Sequence, residues 1–179
     1  METEVVIRRI HPEDYERAHA FQCEYLDPES FENFNERLAN HHDLYFAAYV
    51  ADELIGVCYG NPSRRNETLI NLQGIAVTHE EGKQLLRTGI GSRLIAQFED
   101  AVRSKGYRSI GLGSAEDLKV ERFYVKNGYL PIELVAKGPQ HQEYERVPVA
   151  DYEAGKELQQ ELRRRHDASE VIFIFEKTL

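Results

Sequence analysis

One stretch limits what this chain can fold into more than any other: Leu86-Arg87-Thr88-Gly89-Ile90-Gly91-Ser92-Arg93-Leu94-Ile95. A strand-like run, Leu69 to Val77, precedes it, and an amphipathic helix, Gly89 to about Ser104, follows. Strand, glycine-bearing turn and helix start together form a phosphate cradle. Backbone N–H groups in the first turn of a helix have no intrahelical partners and sit at the positive end of the dipole, so they attract anions. Gly89 and Gly91 carry no Cβ and let a ligand approach the backbone. A Gly-x-Gly at a helix start is equally the mark of a plain helix entry, and at this point both readings stand.

The rest of the chain narrows the choice. Its 179 residues suit a single domain, 1–179, with one core. No stretch approaches the roughly 20 apolar residues of a membrane span, and the acidic Met1-Glu2-Thr3-Glu4 start lacks the basic and apolar regions of a signal peptide. The two cysteines, Cys23 and Cys58, have no metal-ligand spacing, so reduced thiols, a cytoplasmic location and no bound metal are expected. The net charge is −9, and residues 1–80, with 15 acids against 6 Lys or Arg, carry all of it. Residues 81–179 hold 16 of each sign. That distribution argues against nucleic acid as a partner and suits a cationic small molecule meeting the first half. A merely solubilising surface would look the same.

Taken in order, Val5 to Ile10 reads as a strand and Pro12 opens a helix that carries Tyr15, Ala18, Phe21, Cys23 and Tyr25. Asp27-Pro28-Glu29 is expected to restart a helix, with Asp27 as N-cap and Pro28 in the first turn. Phe31, Phe34 and Leu38 share its inner face. Strands follow at Leu44 to Val50 and Leu54 to Gly60, joined by a tight turn at Ala51-Asp52-Glu53. Gly74 inside the next strand predicts a bulge or a close approach. Gly106 stops the helix after the cradle. Then come a strand at Arg108 to Leu112, a helix from Ala115 to Lys126 and a strand from Tyr129 to Ala136. Lys137 to Arg146 is expected as loop, Ala150 to about Arg165 as a charged helix and Val171 to Phe175 as a last strand, pairing within the chain or across a homodimer. The Arg163-Arg164-Arg165-His166 run suits a solvated helix end.

This order of elements, together with two motifs, resembles the GCN5-related N-acetyltransferase (GNAT) family. The first motif is Arg or Gln, two variable residues, Gly, one variable residue, then Gly or Ala. Gly89 and Gly91 match it, while Leu86 stands at the Arg/Gln position, next to Arg87. The second is Val120 to Tyr129, in which Tyr124 precedes Lys126-Asn127-Gly128-Tyr129. The family often has Asn seven residues before that Tyr, and Asp117 stands there. The resemblance implies an α/β fold with a mixed, mostly antiparallel sheet of about seven strands flanked by helices and splayed at the acyl-CoA site. It implies acetyl-CoA as co-substrate, with the pyrophosphate on the amides of Arg87, Thr88, Gly89, Ile90, Gly91 and Ser92. The pantetheine arm would run along main chain at Ile75, Ala76 and Val77, with Asp117 and Tyr124 beside the sulfur.

The activity so implied is transfer of acetyl from acetyl-CoA to a primary amine, and the charge argument makes that amine a small cationic acceptor. A lysine-like amine has a pKa near ~10.4, so freeing its lone pair at pH 7.4 costs about 4 kcal/mol. The Tyr124 phenol can protonate the leaving thiolate. Some family members carry a base early in the central strand, and here that place is Asn71, which cannot be one. Proton removal through water, oriented by Asn71 or by Glu67, is the expectation. Glu80, Glu81 and the pair His41-His42 are further polar groups of undecided role. The alternative is a non-catalytic acyl-CoA sensor, supported by Asn71 and Leu86. A P-loop protein is excluded, because no Gly-Lys-Ser/Thr follows the turn.

Overall fold

The computed structural model describes residues 4–78 and 89–179. They fall into two compact units, one running to Arg108 and including Leu179, the other Ser109–Thr178. The described residues form eight strands and five α-helices, so the fold is α/β with mostly antiparallel pairing.

The first unit holds β1 (Val5–Arg9), α1 (Tyr15–Tyr25), α2 (Phe31–His41), β2 (Tyr45–Val50), β3 (Glu53–Pro62), β4 (Leu69–Val77) and α3 (Ile90–Ser104). Its strands lie in the order β1-β2-β3-β4, each pair antiparallel. Ala51 and Asp52 both take positive φ (46° and 66°), the two-residue turn whose twist matches a hairpin, so the β2–β3 link is as expected. β3 carries an extra residue, Ile55, against β2 and alternates from Gly56 onward. A Cβ at Gly56 or Gly60 would meet Leu94 or Phe98 of α3, which places the even positions from Gly56 on the α3 side. Val57 and Tyr59 join Ala18, Phe21, Phe34, Leu38 and Tyr45 in a core cluster on the α1/α2 side. Between β3 and β4 the register shifts, with Tyr59 opposite Gly74 and Gly60 opposite Leu72, so Gln73 is an extra residue. This is the bulge that Gly74 predicted.

Asp27 and Pro28 do not start α2. Ser30 caps it, accepting a hydrogen bond from the Asn33 N–H at 3.1 Å. Glu29 lies outside the helix, where its carboxylate accepts from Gln22 Nε2 and pairs with Arg37. Leu44 lies in a short 3-10 turn before β2. Gly106, at φ 87°, ends α3 as expected.

The second unit holds β5 (Ser109–Gly113), α4 (Leu118–Lys126), β6 (Leu130–Lys137), β7 (Glu143–Pro148), α5 (Tyr152–His166) and β8 (Glu170–Thr178), with strand order β5-β8-β6-β7. The segment expected as loop, Lys137 to Arg146, contains most of β7, which pairs with β6 alone. Its Glu143-Tyr144-Glu145-Arg146 sequence hides the strand because an edge strand is charged rather than apolar. β8 pairs with β5 and β6 of its own chain, which settles its intrachain option. Arg163 and Arg165, in the last turn of α5, bridge to Glu116 and to Glu145 and Glu161. No helix of the described residues is long and apolar enough to cross a membrane.

The entry to α1 rests on a buried carboxylate. Asp14 is 2% exposed and accepts hydrogen bonds from Arg8 (2.8 Å), Tyr49 (2.8 Å) and Arg17. Burial by itself raises its pKa, but the bonds from Arg17, Tyr49 and Arg8 outweigh that and hold it at about 2. A carboxylate so depressed stabilises the fold above its unfolded pKa of 3.8, and loses that contribution as the pH falls towards 2. In Asp14→Ala the arginines lose a buried partner. A cost of about 3 kcal/mol at pH 7 is expected, the low end for a broken buried pair because both arginines are part-exposed. The variant's denaturation midpoint should also vary less between pH 4 and 2 than the wild type's.

Candidate active site

The N-terminal end of α3 has features that suit an anion. Gly89 caps it in the left-handed conformation (φ 72°, ψ 28°) and has no side chain of its own to bond the first-turn amides. A Cβ at Gly89 would meet nothing within 4 Å among the described residues, which leaves room there for a ligand to approach the backbone. The first turn contains no acid. The partial positive charge of roughly half a unit is therefore uncompensated by its own side chains. Ile90 is buried, so only its amide can face a ligand, while Gly91 and Ser92 are half-buried. These features fit a pyrophosphate. Arg87 and Thr88, like Leu86, Glu80 and Glu81, lie outside the described residues.

β4 lines the α1/α2 face with polar and small groups. Ile75, Ala76 and Val77 pair with Cys58, Val57 and Gly56 of β3, and all three are half-buried. The close approach at Gly74 comes from the protein itself: a Cβ there would lie 2.9 Å from both the Tyr59 hydroxyl and Leu26 Cδ1. Asn71 is half-buried opposite Asn61. Glu67 is exposed in the turn before β4, beside a surface hollow lined by Lys105, Gly106 and Tyr107. That hollow is at the C-terminal end of α3, a helix of 15 residues. At 1.5 Å per residue, Glu67 is about 22 Å along the axis from Gly89.

The sequence reading missed the group over this face. Arg37 pairs with Glu29 and donates to Gln22 Oε1 at 3.2 Å. Its guanidinium stands 4.5 Å from the centre of the Tyr59 ring, which stacks on Tyr45 at 4.9 Å. Burial pushes the Tyr45 and Tyr59 phenols above the usual range, so both stay neutral donors. The backbone carbonyl of Glu29 is in turn 2.7 Å from His19 Nε2. Glu29 thus fixes the segment between α1 and α2 from both its main chain and its side chain. His41 is half-buried, and desolvation lowers its pKa.

In the second unit Asp117 precedes α4 rather than lying in it. Its Oδ1 accepts from the Lys119 and Val120 amides (2.8 and 3.2 Å), so the helix starts at Leu118 and not at Ala115. An N-cap carboxylate satisfies first-turn donors that have no intrahelical partner. Tyr124 is 6% exposed, with its ring 5.8 Å from both Tyr129 and Phe175. One turn before it, Glu121 is 1% exposed. It accepts from Tyr152 (2.8 Å), Lys156 (2.9 Å) and Gln159 (3.3 Å), which ties α4 to α5.

Comparison with known proteins agrees with this fold. A family model described as the acetyltransferase (GNAT) family matches residues 7–129. A tRNA(Met) cytidine acetyltransferase from Thermofilum pendens is 33% identical over 79 residues, 41% of this chain. The match spans only 10% of that relative's length. Among solved structures, Ard1 from Thermoplasma volcanium superposes with a TM-score of 0.68 at 18% identity, covering 98% of this chain and 97% of the other. The ribosomal-protein-S18-alanine N-acetyltransferase of Escherichia coli gives 0.66 at 15% identity, over 98% and 94%. Diaminobutyrate acetyltransferase EctA from Paenibacillus lautus, in complex with L-2,4-diaminobutyric acid and coenzyme A, gives 0.61 at 19%, over 97% and 95%. At these identities the structures establish the fold.

The Glu121 network makes a stability prediction of its own. Glu121→Ala takes the shared acceptor from Tyr152, Lys156 and Gln159, leaving Lys156 with Gln159 Oε1 and Gln159 with the Val171 carbonyl, at an expected cost of about 3 kcal/mol, the low end for a buried pair because Lys156 is partly exposed. Glu121→Gln keeps an acceptor oxygen and should cost less than half as much. Urea denaturation of both variants checks the order.

Proposed function

The chain belongs to the acetyltransferase (GNAT) family, and from that premise we propose that residues 1–179 form one N-acetyltransferase domain that acetylates the primary amine of a small cationic acceptor in the cytoplasm. Acetyl-CoA supplies the activated acetyl group. The observation that carries the reading is the α3 N-terminus, with an open left-handed Gly89 and a first turn free of acids. Amides of Gly89, Ile90, Gly91 and Ser92, with Arg87 and Thr88 before them, would hold the pyrophosphate. Main chain at Ile75, Ala76 and Val77 would hold the pantetheine arm as an added strand. Asp117 serves this site by setting where α4 begins.

Tyr124 acts as general acid. Its hydroxyl gives a proton to the departing thiolate while the amine nitrogen takes the acyl carbon and the C–S bond breaks. The amine's proton leaves through water. Asn71 orients that water; Glu67, exposed at the far end of α3, is the more distant candidate for the same task. Support for a cationic acceptor comes from exposed acids on and between α1 and α2, among them Glu24, Asp27 and Glu32. The amine would be either a small molecule or a peptide end of the same charge. One observation favours a second reading, an acyl-CoA sensor: an amide, Asn71, where some relatives carry a carboxylate.

The test is release of coenzyme A from acetyl-CoA over a panel of polyamines, aminoglycosides, amino acids and basic peptides, with mass detection of the product. Turnover with cationic members is expected. Binding of acetyl-CoA without turnover on any member would favour the sensor. Tyr124→Phe is expected to lower kcat by about 10²-fold with acetyl-CoA affinity retained; unchanged kcat would remove Tyr124 from the mechanism. In Gly89→Val a side chain fills the open cradle and strains a left-handed residue. Its acetyl-CoA affinity, read by calorimetry, should fall at least tenfold.

A further inference from the structure

One buried polar atom in the first unit has no hydrogen-bond partner among the described residues: Oδ1 of Asn61. Its surroundings are specific. Asn61 lies on β3 directly opposite Asn71 of β4. Cross-strand partners hold their Cβ atoms about 5 Å apart on the same face. The alternation of β3 fixes which face. Gly56 and Gly60 look towards α3, and Val57 and Tyr59 look towards α1 and α2. Asn61, two residues after Tyr59, continues the α1/α2 face. Asn61 and Asn71 therefore form a paired amide patch beside the Tyr59–Arg37 stack. In this pair the Asn71 side chain is half-buried and the Asn61 oxygen is shielded from solvent.

A shielded carbonyl oxygen with no donor is costly, and folded proteins keep few of them. The fold has simple ways to avoid this one, since Leu or Val at position 61 would suit the strand equally well. We propose that Asn61 is a positioning residue for the acceptor's deprotonation: with Asn71, it holds the water that receives the amine proton. This rests on the acetyltransferase reading above. The Asn61 oxygen accepts one O–H of that water and so turns a lone pair towards the amine. The amine N–H bond breaks as a water O–H bond forms, and in the same step that water passes its other proton on to bulk solvent, so no free hydronium is made. No redox change and no further reactant are involved. An amide pair in place of a carboxylate orients the water without taking the proton itself.

The experiment compares the wild type with Asn61→Leu and Asn61→Asp on whichever amine of the panel the wild type acetylates. Asn61→Leu removes an unpaired polar atom, so its melting temperature should rise by about 2–4 °C. Its kcat should fall at least tenfold while its affinity for acetyl-CoA stays within twofold. A purely structural asparagine would give the opposite sign of temperature shift. Asn61→Asp places a carboxylate at the water, so the acidic limb of its kcat/KM profile should move to lower pH by about one unit or more. Turnover of Asn61→Leu within twofold of wild type, a fall in its melting temperature, or an unmoved limb in Asn61→Asp overturns the assignment while leaving the acetyltransferase reading intact. A wild type that binds acetyl-CoA but acetylates no amine overturns both.

Discussion

The antiparallel pairing of β3 with β4 is the constraint on which the first unit depends. Side chains on a strand alternate with period two, so a single inserted residue exchanges the faces of everything after it. Gln73 is that insertion. Ahead of it Asn71 faces α1 and α2, and beyond it Gly74 and Ala76 do so, where Ala76 packs on the core cluster. Without the bulge, the α1/α2 face would carry Gln73, Ile75 and Val77, and Tyr59 would have no gap above it. The two glycines at the shift are fixed by backbone and ring contacts. A Cβ at Gly60 would run into the Asn71 carbonyl oxygen and Phe98, and one at Gly74 into Tyr59 and Leu26. A polar patch can therefore sit within an otherwise apolar sheet face.

Charge works on two scales in this chain. Locally, several acids of the first half are tied down by nearby cations: Asp14 by Arg8 and Arg17, Glu29 by Arg37, Asp43 by Lys105. These pairs set element geometry and contribute little to the outer field. What remains on and between α1 and α2 is exposed and acidic, with Glu16, Glu24, Asp27, Glu32 and Glu36 all at the surface. A field of one sign over one surface speeds encounter with a cation and falls off within about 8 Å at physiological salt. At the α3 N-terminus the first turn lacks acids, so that end keeps an affinity for anions. In the proposed reaction, the opposite demands of an anionic co-substrate and a cationic acceptor would be met by different elements.

Much of this was legible from local signals. Gly89, Gly106 and Gly128 mark positive-φ positions that only the backbone of a turn or cap requires, and each stands where the sequence placed one. The Ala51-Asp52 turn and the Gly74 irregularity were equally local. Errors arose where two local signals competed. Asp27-Pro28 is a good helix start, but Ser30 is a better-placed cap three residues before Asn33. The sequence puts Asp117 inside a helix from Ala115 because helical spacing does not reveal which residue leaves the helical conformation to cap it. β7 escaped because edge strands lack an apolar rhythm. The Arg37–Glu29–Gln22 group and the Asn61–Asn71 pair could not be read at all. Their members meet only when helix packing or strand register brings them together, and nothing in the residues themselves sets that register.

The absence of a carboxylate at position 71 is tolerable on energetic grounds. Neutralising a lysine-like amine at pH 7.4 costs about 4 kcal/mol whichever group carries the proton away. A turnover of about 10 s⁻¹ corresponds to a barrier near ~16 kcal/mol. The deprotonation is thus about a quarter of the climb, and a well-oriented water can take part in it without a strong base. What the protein must supply is orientation, because a water free to rotate presents its lone pair to the amine only part of the time. Two facing amides can do this, and a neutral pair does not attract the acceptor's ammonium strongly enough to hold it in its protonated form. A carboxylate at Asn71 would accept the proton, but it would also stabilise the unreactive cation. In the proposed reaction, electrostatic attraction would therefore belong on the exposed acids around α1 and α2, away from the reacting nitrogen, with neutral hydrogen-bonding groups beside it.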